Sequence, residues 1–310
     1  PSYVQDYIEE IQKFDIVDDG TNLSVANYST TSDLTNLHRR DYNMSPQIFP
    51  NGDEGFTMFS GVFDPNDLPY LNSVDITSTG HTTNNNFTQY LSQYHSAKLP
   101  IYDADSNVMH TLFFGGMSQY TLDASGNLVQ DDNVPFVKTI SKVSRFSDGS
   151  MTELKLDIEM PTLVGSVAEF IPVSSSTWYD EREILKVNNL PIAKTLVGYI
   201  YGGIESTGAN IFFSNSGTQS SASIVIFKVY ISKAPVSTQD IALNGQNIFN
   251  LSVFPNPAKT HVDVNVFIPN HNAHQLVILD LSGREIQNIS LPNTVGNHSQ
   301  QVDISTLSKG

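Results

Sequence analysis

Only one stretch of this 310-residue chain, Val4 to Phe14 ("VQDYIEEIQKF"), keeps the i, i+3, i+4 apolar spacing of an amphipathic helix for about three turns. It runs directly into the strand-like "FDIVDD". Elsewhere the apolar residues come in short runs cut by Gly, Pro, Asn and Asp: "GFTMFSGVF", "HTLFFGGMS", "FVKTISKVSRF", "ELKLDIEM", "LVGYIYGG" and "SIVIFKVYI". Short aromatic and β-branched runs with turn residues about every 8–12 positions specify strands that stack as sandwiches, barrels or propellers. An all-β fold is therefore expected.

Such strands can close over a core here, because 39% of residues are hydrophobic, with 17 Phe and 13 Tyr. Acidic residues outnumber basic ones 32 to 16, for a formal net charge of −16. That sign repels phosphate backbones and anionic lipid, so no nucleic-acid partner is expected. An acidic surface rich in Asn, Ser and Thr suits a secreted protein. Cysteine is absent, which removes disulfides, thiol nucleophiles and thiolate metal sites together. No run approaches the length of a membrane-spanning helix.

Three segments share one form, an aromatic strand ending in glycine: Phe56 to Gly61, Leu112 to Gly116 and Tyr199 to Gly203. The first two are preceded by "RRDYNMSPQIFPNGDEG" and "QYHSAKLPIYDADSNVM". Each reads as a polar entry, a strand, an Asn/Asp turn and the glycine-ended strand. Gly61 and Gly116 lie 55 positions apart, Gly116 and Gly203 lie 87 apart, and Gly165 in "TLVGSVAEFIP" marks an irregular unit between them. A period of about 50 with such glycines resembles kelch-type β-propellers over residues 15–232. The resemblance implies blades whose first strands crowd round a central channel, where only glycine lets neighbours approach. The kelch Trp is missing from each repeat, since the only Trp is Trp178. Three repeats are too few for a closed ring, and "IQKFDIVDDGTNLSV" reads as the outer strands of a blade already under way. Sequence upstream of Pro1 is therefore expected.

"KAPVSTQDIALNGQNIFN", Lys233 to Asn250, reads as a linker, giving a cargo domain at 1–234, a linker at 235–250 and a second module at 251–310. The module holds five strand-like runs: "LSVFP", "THVDVNVFI", "HQLVILDLSG", "REIQNISL" and "SQQVDIS". Val262, Val264 and Val266 alternate with polar neighbours, whereas Leu276 to Leu281 is apolar on both faces and reads as a central strand. Short antiparallel strands without helix over about 60 residues read as a small immunoglobulin-like sandwich.

"VFPNPAKTHVDVNV", "LVILDLSGREIQ" and "VDISTLSKG" resemble, in order, the type A C-terminal sorting domain of the type IX secretion system of Bacteroidota. Its pattern is a Pro-Asn-Pro turn, a strand ending in Asp-x-x-Gly-Arg, and an Asp/Leu segment leading to Gly-x-Tyr. Pro255, Asn256, Pro257, Asp280, Gly283, Arg284, Leu307 and Gly310 fall on those positions. The sequence stops before the tyrosine, so a module lacking its last strands is expected. The resemblance implies a secreted, surface-displayed or released protein. Its partners would be the outer-membrane translocon, a shuttle barrel that receives the tail, and a sortase.

For the cargo domain, the densest polar cluster is Arg39, Arg40, Asp41 and Tyr42. An arginine clamp on a ligand carboxylate is one use of such a cluster, and a structural Arg–Asp tie is the other. "FDPNDLP" (63–69) and "YDADSN" (102–107) alternate carboxylates as a calcium loop does, although Asp and Asn are also ordinary turn residues. The 8 histidines form no zinc pattern, and there is no nucleophile elbow, phosphate loop or dinucleotide fingerprint. The reading is a binding protein for glycan or surface protein, with no metal or other cofactor required. An extracellular glycan hydrolase is the alternative.

Overall fold

The computed structural model describes residues 8–123, 126–210, 219–232, 241–242, 251–255, 258–268, 274–279, 285–294, 296–305 and 307. Among them the fold is all-β, and the only helical element is a 3-10 turn at Val187–Asn189. The chain divides into two compact units, Pro1–Pro235 and Val236–Gly310.

The first unit opens with a hairpin, β1 (Glu10–Asp18) against β2 (Leu23–Ser32). The helical spacing of Val4–Phe14 is thus overturned where it is described. Pairing with β2 satisfies the backbone here, and of the apolar residues Ile11, Phe14, Ile16 and Val17 only Ile11 packs on a core, against Leu37, Met58 and Val74. Both strands are exposed almost throughout, with Ile16 at 70% and Leu23 at 74%.

Three open sheets follow, and none closes on itself among the described residues. The first is an antiparallel meander of β3 (Asn43–Ile48), β4 (Glu54–Phe59), β5 (Ser73–Thr77) and β6 (Gly80–Asn84). The second repeats that order with β7 (Ala97–Asp103), β8 (Val108–Phe114), β11 (Thr139–Arg145) and β12 (Met151–Glu159). A small hairpin, β9 (Tyr120–Leu122) with β10 (Leu128–Gln130), is inserted between β8 and β11, and β14 (Leu185–Lys186) adds in parallel beside β7. In the third sheet β13 (Leu163–Pro172) pairs with β15 (Thr195–Ser206), which also carries β16 (Ser220–Ala222) and β17 (Phe227–Ile231).

The sheets pack face on face, and β8 shows why. Its residues are buried on both faces, so "VMHTLFF" must serve two interfaces. Leu112 and Phe114 join Leu99, Ile140, Val164, Val197 and Ile200 in a core shared by the second and third sheets. Phe113 points the other way and meets Phe59 of the first sheet edge to face, with ring centroids 5.2 Å apart. Phe87 and Val143 join that contact, and polar pairs flank it. Arg145 pairs with Asp75 at 2.6 Å, Thr57 Oγ1 donates to the same carboxylate at 2.6 Å, and Gln47 Nε2 donates to Thr111 Oγ1 at 3.1 Å.

The glycine-ended segments occupy equivalent places: Gly61 follows β4, Gly115 and Gly116 follow β8, and Gly202 and Gly203 lie in β15, each the second strand of its sheet. Gly115 has φ +64, and a Cβ added there would lie 1.9 Å from the Val164 carbonyl oxygen. The backbone of one sheet's strand end touches the opening strand of the next, which leaves room for no side chain. Gly165, at a bulge in β13, sits against Phe114 in the same crossing. Gln93 latches this corner by donating to the carbonyls of Gly115 (2.9 Å) and Thr139 (2.6 Å) and accepting from Ser141 Oγ.

Of the linker, only Ile241–Ala242 is described, as a two-residue strand, β18. In the second unit, β19 (Leu251–Phe254), β20 (His261–Ile268) and β23 (Gly296–Asp303) form one sheet, and β21 (His274–Leu279) pairs with β22 (Glu285–Leu291). All five expected runs are strands. Val266, Ile268 and Leu291 make a small core with Leu276 against it. The expected central position of Leu276 to Leu281 is not found. Among the described residues β21 pairs only with β22, and Val277 is 40% exposed. Its two apolar faces are therefore unequal, with only the Leu276 side packed inward.

Candidate functional site

The polar quartet at 39–42 is split by the fold. Arg39 is buried between the 33–38 turn and the entry to β5. Its Nε donates to Asn36 O (2.6 Å), Nη1 to Ser60 O (2.8 Å) and Nη2 to Asn72 Oδ1 (2.8 Å). The guanidinium also lies over the Tyr70 ring, 3.9 Å from its centroid. Burial draws its pKa down to about 10, opposed by Tyr70 and Asp33, so it stays charged at neutral pH. Arg40, next in sequence, points outward. Its Nε lies 3.3 Å from Asp41 Oδ2, and Asp41 Oδ1 lies 3.3 Å from His95 Nδ1. These half-exposed pairs each contribute at most about 1 kcal/mol. Tyr42 turns away to line, with Arg39, Leu37 and Met58, a pocket of about 150 Å³. The four residues do not converge on one ligand position.

The loop aspartates are engaged with the chain. Asp64 Oδ1 accepts the N–H groups of Asn66 (2.8 Å) and Leu68 (3.0 Å). Asp103 accepts from Asp105 N–H, Ser106 Oγ and Asn188 Nδ2. Burial raises the Asp103 pKa, but those donors outweigh it and hold the carboxyl below its ordinary value. Among the described residues no three His, Asp or Glu side chains lie close enough to hold a metal ion. His110, half-buried beside Ser144, is drawn down to about 4 by burial and by Lys142, so it is neutral at physiological pH.

Three larger concavities lie elsewhere, one of them, about 590 Å³, between residues 172–176 and 179–186. A groove of about 550 Å³ separates the β1–β2 hairpin from the β4–β6 edge, lined by Ile11, Phe14, Phe56 and Ile76 with Lys13 and His81. A cleft of about 470 Å³ opens where the loops around residues 35, 64–72 and 85–88 meet the β9–β10 hairpin. Its lining is mixed: the amides of Asn36, Asn72, Asn85, Gln119 and Gln130 face it together with apolar Leu68, Leu71 and Phe87, and Tyr120 is one of its aromatics. Arg39 stands behind this wall, since Asn72 and Tyr70, both of which it holds, line the cleft. The sequence singled out only the 63–69 loop of this lining, and as a calcium-type loop. For the rest, the one available signal was amide density in loops, as in Asn84-Asn85-Asn86.

In the second unit, Pro255 follows Phe254 through a cis peptide at the end of β19, and Leu307 donates its N–H to the Ile304 carbonyl at 3.1 Å. Asn256, Pro257, Asp280, Gly283, Arg284 and Gly310 lie outside the described residues.

Five short strands, the first ending at a proline, and a small core make up the all-β tail. Residues 252–310 match the family model described as the secretion system C-terminal sorting domain. The chain carries that domain and is a cargo of the type IX secretion system, recognised by its machinery and exported to the cell surface or extracellular space. No curated protein and no solved structure matches the chain.

Proposed function

We propose that residues 8–232 belong to a β-propeller that binds a glycan or surface protein outside the cell, and that a sandwich-like tail delivers it there. The observation that carries this is the threefold recurrence of one pattern. Consecutive open antiparallel sheets stack face on face, each with glycine at the end of or within its second strand. Loops at one end of such a stack are free to vary and to hold ligand. Binding is favoured over hydrolysis because the cleft beside the β9–β10 hairpin is lined by a single carboxylate, Asp64, and that one is engaged by backbone N–H groups. Glycoside hydrolysis uses a pair. The reading calls for no cofactor, and calcium has no part in it. The shuttle barrel of a bacteroidotal translocon would receive residues 252–310, with a sortase acting after export.

The test is export of the chain from a type IX-competent bacterium. Secretion should be lost both on deleting residues 236–310 and in a translocon-null strain, while the exported protein still adheres to cell surfaces. Export that persists in the null strain would overturn the delivery route, and an exported protein that adheres to nothing would overturn the binding role.

A further inference from the structure

We propose that the cleft between the β9–β10 hairpin and the 64–72 and 85–88 loops binds an uncharged oligosaccharide. This deepens the binding reading above and rests on it.

The cleft offers polar atoms that the protein itself does not satisfy. The Asn85 side-chain amide and the hydroxyls of Thr35 and Thr88 make no hydrogen bond within the chain, and Gln119 Oε1 accepts none. Asp64 Oδ2 has only Asn66 Nδ2 at 3.5 Å, beyond a good hydrogen bond. These groups mix donors and acceptors at short range, which is what a sugar hydroxyl, itself donor and acceptor, requires.

The other half of the wall is held rigid. Tyr120 Oη donates to Gln130 Oε1 at 3.0 Å, while Gln130 and Gln119 both donate to Asp132 Oδ1, at 2.7 and 2.8 Å. The Tyr120 ring is braced edge to face by Tyr90, with centroids 5.1 Å apart. On the opposite side Arg39 fixes Asn72, whose Nδ2 donates to Asn36 Oδ1 at 3.0 Å. A braced aromatic beside unsatisfied amides and hydroxyls is a preformed site, so binding would order little of the protein.

Charge selects among glycans. No Lys, Arg or His lines the cleft, its one ionised lining group is Asp64, and the chain carries a net charge of −16. The guanidinium behind the wall, that of Arg39, is directed at carbonyl and amide oxygens. A uronate, sialate or sulfated sugar would meet negative charge with no counter-ion, whereas a neutral sugar needs none.

The experiment is affinity electrophoresis of the full chain through gels containing a β-glucan, a mannan or a xylan, with polygalacturonate as the anionic counterpart. Adhesion to cells treated with periodate or with protease is measured in parallel. Retardation by at least one neutral polysaccharide is expected, weakened about tenfold in Asn85→Ala and in Thr88→Ala, the loss of one or two hydrogen bonds. Asn85 is exposed and makes no side-chain bond, so Asn85→Ala should melt with the parent. Tyr201→Ala, on the exposed face of the third sheet, should bind as the parent does.

Retardation unchanged in both cleft variants but lost in Tyr201→Ala would overturn the site. Retardation by polygalacturonate alone would overturn the ligand class. Adhesion destroyed by protease but not by periodate would overturn the sugar while leaving the binding role intact, and absence of all adhesion would remove both.

Discussion

Glu153 is an outlier at the scale of single residues. It is 1% exposed in β12, and both carboxyl oxygens lie 3.1 Å from the Leu91 N–H. Burial pushes its pKa up from 4.5 to about 8, against the pull of the Leu91 and Tyr90 amides. The folded protein therefore keeps a proton that the unfolded chain releases above pH 4.5, and stability falls as pH rises from there to about 8. His110 acts oppositely. Its pKa is lowered from 6.5 to about 4, so the unfolded chain binds the extra proton and stability rises with pH across that window. Of these two, Glu153 alone contributes between about pH 6.5 and 8, by up to about 2 kcal/mol. Denaturant midpoints of the parent should therefore decline across that interval, and those of Glu153→Gln should stay level. A parent whose midpoint rises there would show that the carboxyl is ionised in place.

At the scale of elements, the glycine crossing between β8 and β13 can be tested against a glycine of the same backbone hand in open space. Gly115→Ala forces a methyl group to within 1.9 Å of a carbonyl oxygen at φ +64. Gly52→Ala, at φ +87, meets nothing within 4 Å. The second change should cost about 1 kcal/mol of backbone strain, and the first more than about 3 kcal/mol, because two sheets must part. Equal losses in thermal melting would show that the sheets do not touch there. A close backbone approach at Leu112-Phe-Phe-Gly-Gly116 was expected, but for the first strand of a unit, whereas β8 follows β7 in its sheet. The strands were legible, since alternation and turn residues are local. What escaped was non-local. Val4–Phe14 carries helical spacing that, where it is described, pairing with β2 overrides. Leu276 to Leu281 shows two apolar faces without showing which is covered. The quartet at 39–42 is contiguous in sequence, but consecutive residues face opposite ways, so Arg39 enters a wall while Arg40 meets solvent. The cleft is assembled from loops spanning residues 35 to 130, a juxtaposition that no motif spacing records.

For the whole molecule, the division of labour between cargo and tail implies separable stability. The first unit shares its core across sheets, with Leu99 at 0% exposure among residues of β7, β8, β11, β13 and β15. The second unit has its own small core around Val266, Ile268 and Leu291, with Ile268 at 0% exposure. A sorting domain must be readable whatever cargo precedes it, so its fold cannot depend on that cargo's core. Leu99→Ala and Ile268→Ala each delete buried methyl groups and should cost about 2–4 kcal/mol in the unit that holds them. Because melting temperature responds more steeply in a small unit, Ile268→Ala should lower the tail's transition by about 8 °C or more and leave the cargo's in place. Leu99→Ala should do the reverse, and the double variant should show both shifts, each of the size it has alone. Calorimetry that found one transition moved by both substitutions would mean that cargo and tail unfold as one body. The secretion machinery would then be reading a surface that the cargo helps to hold in shape.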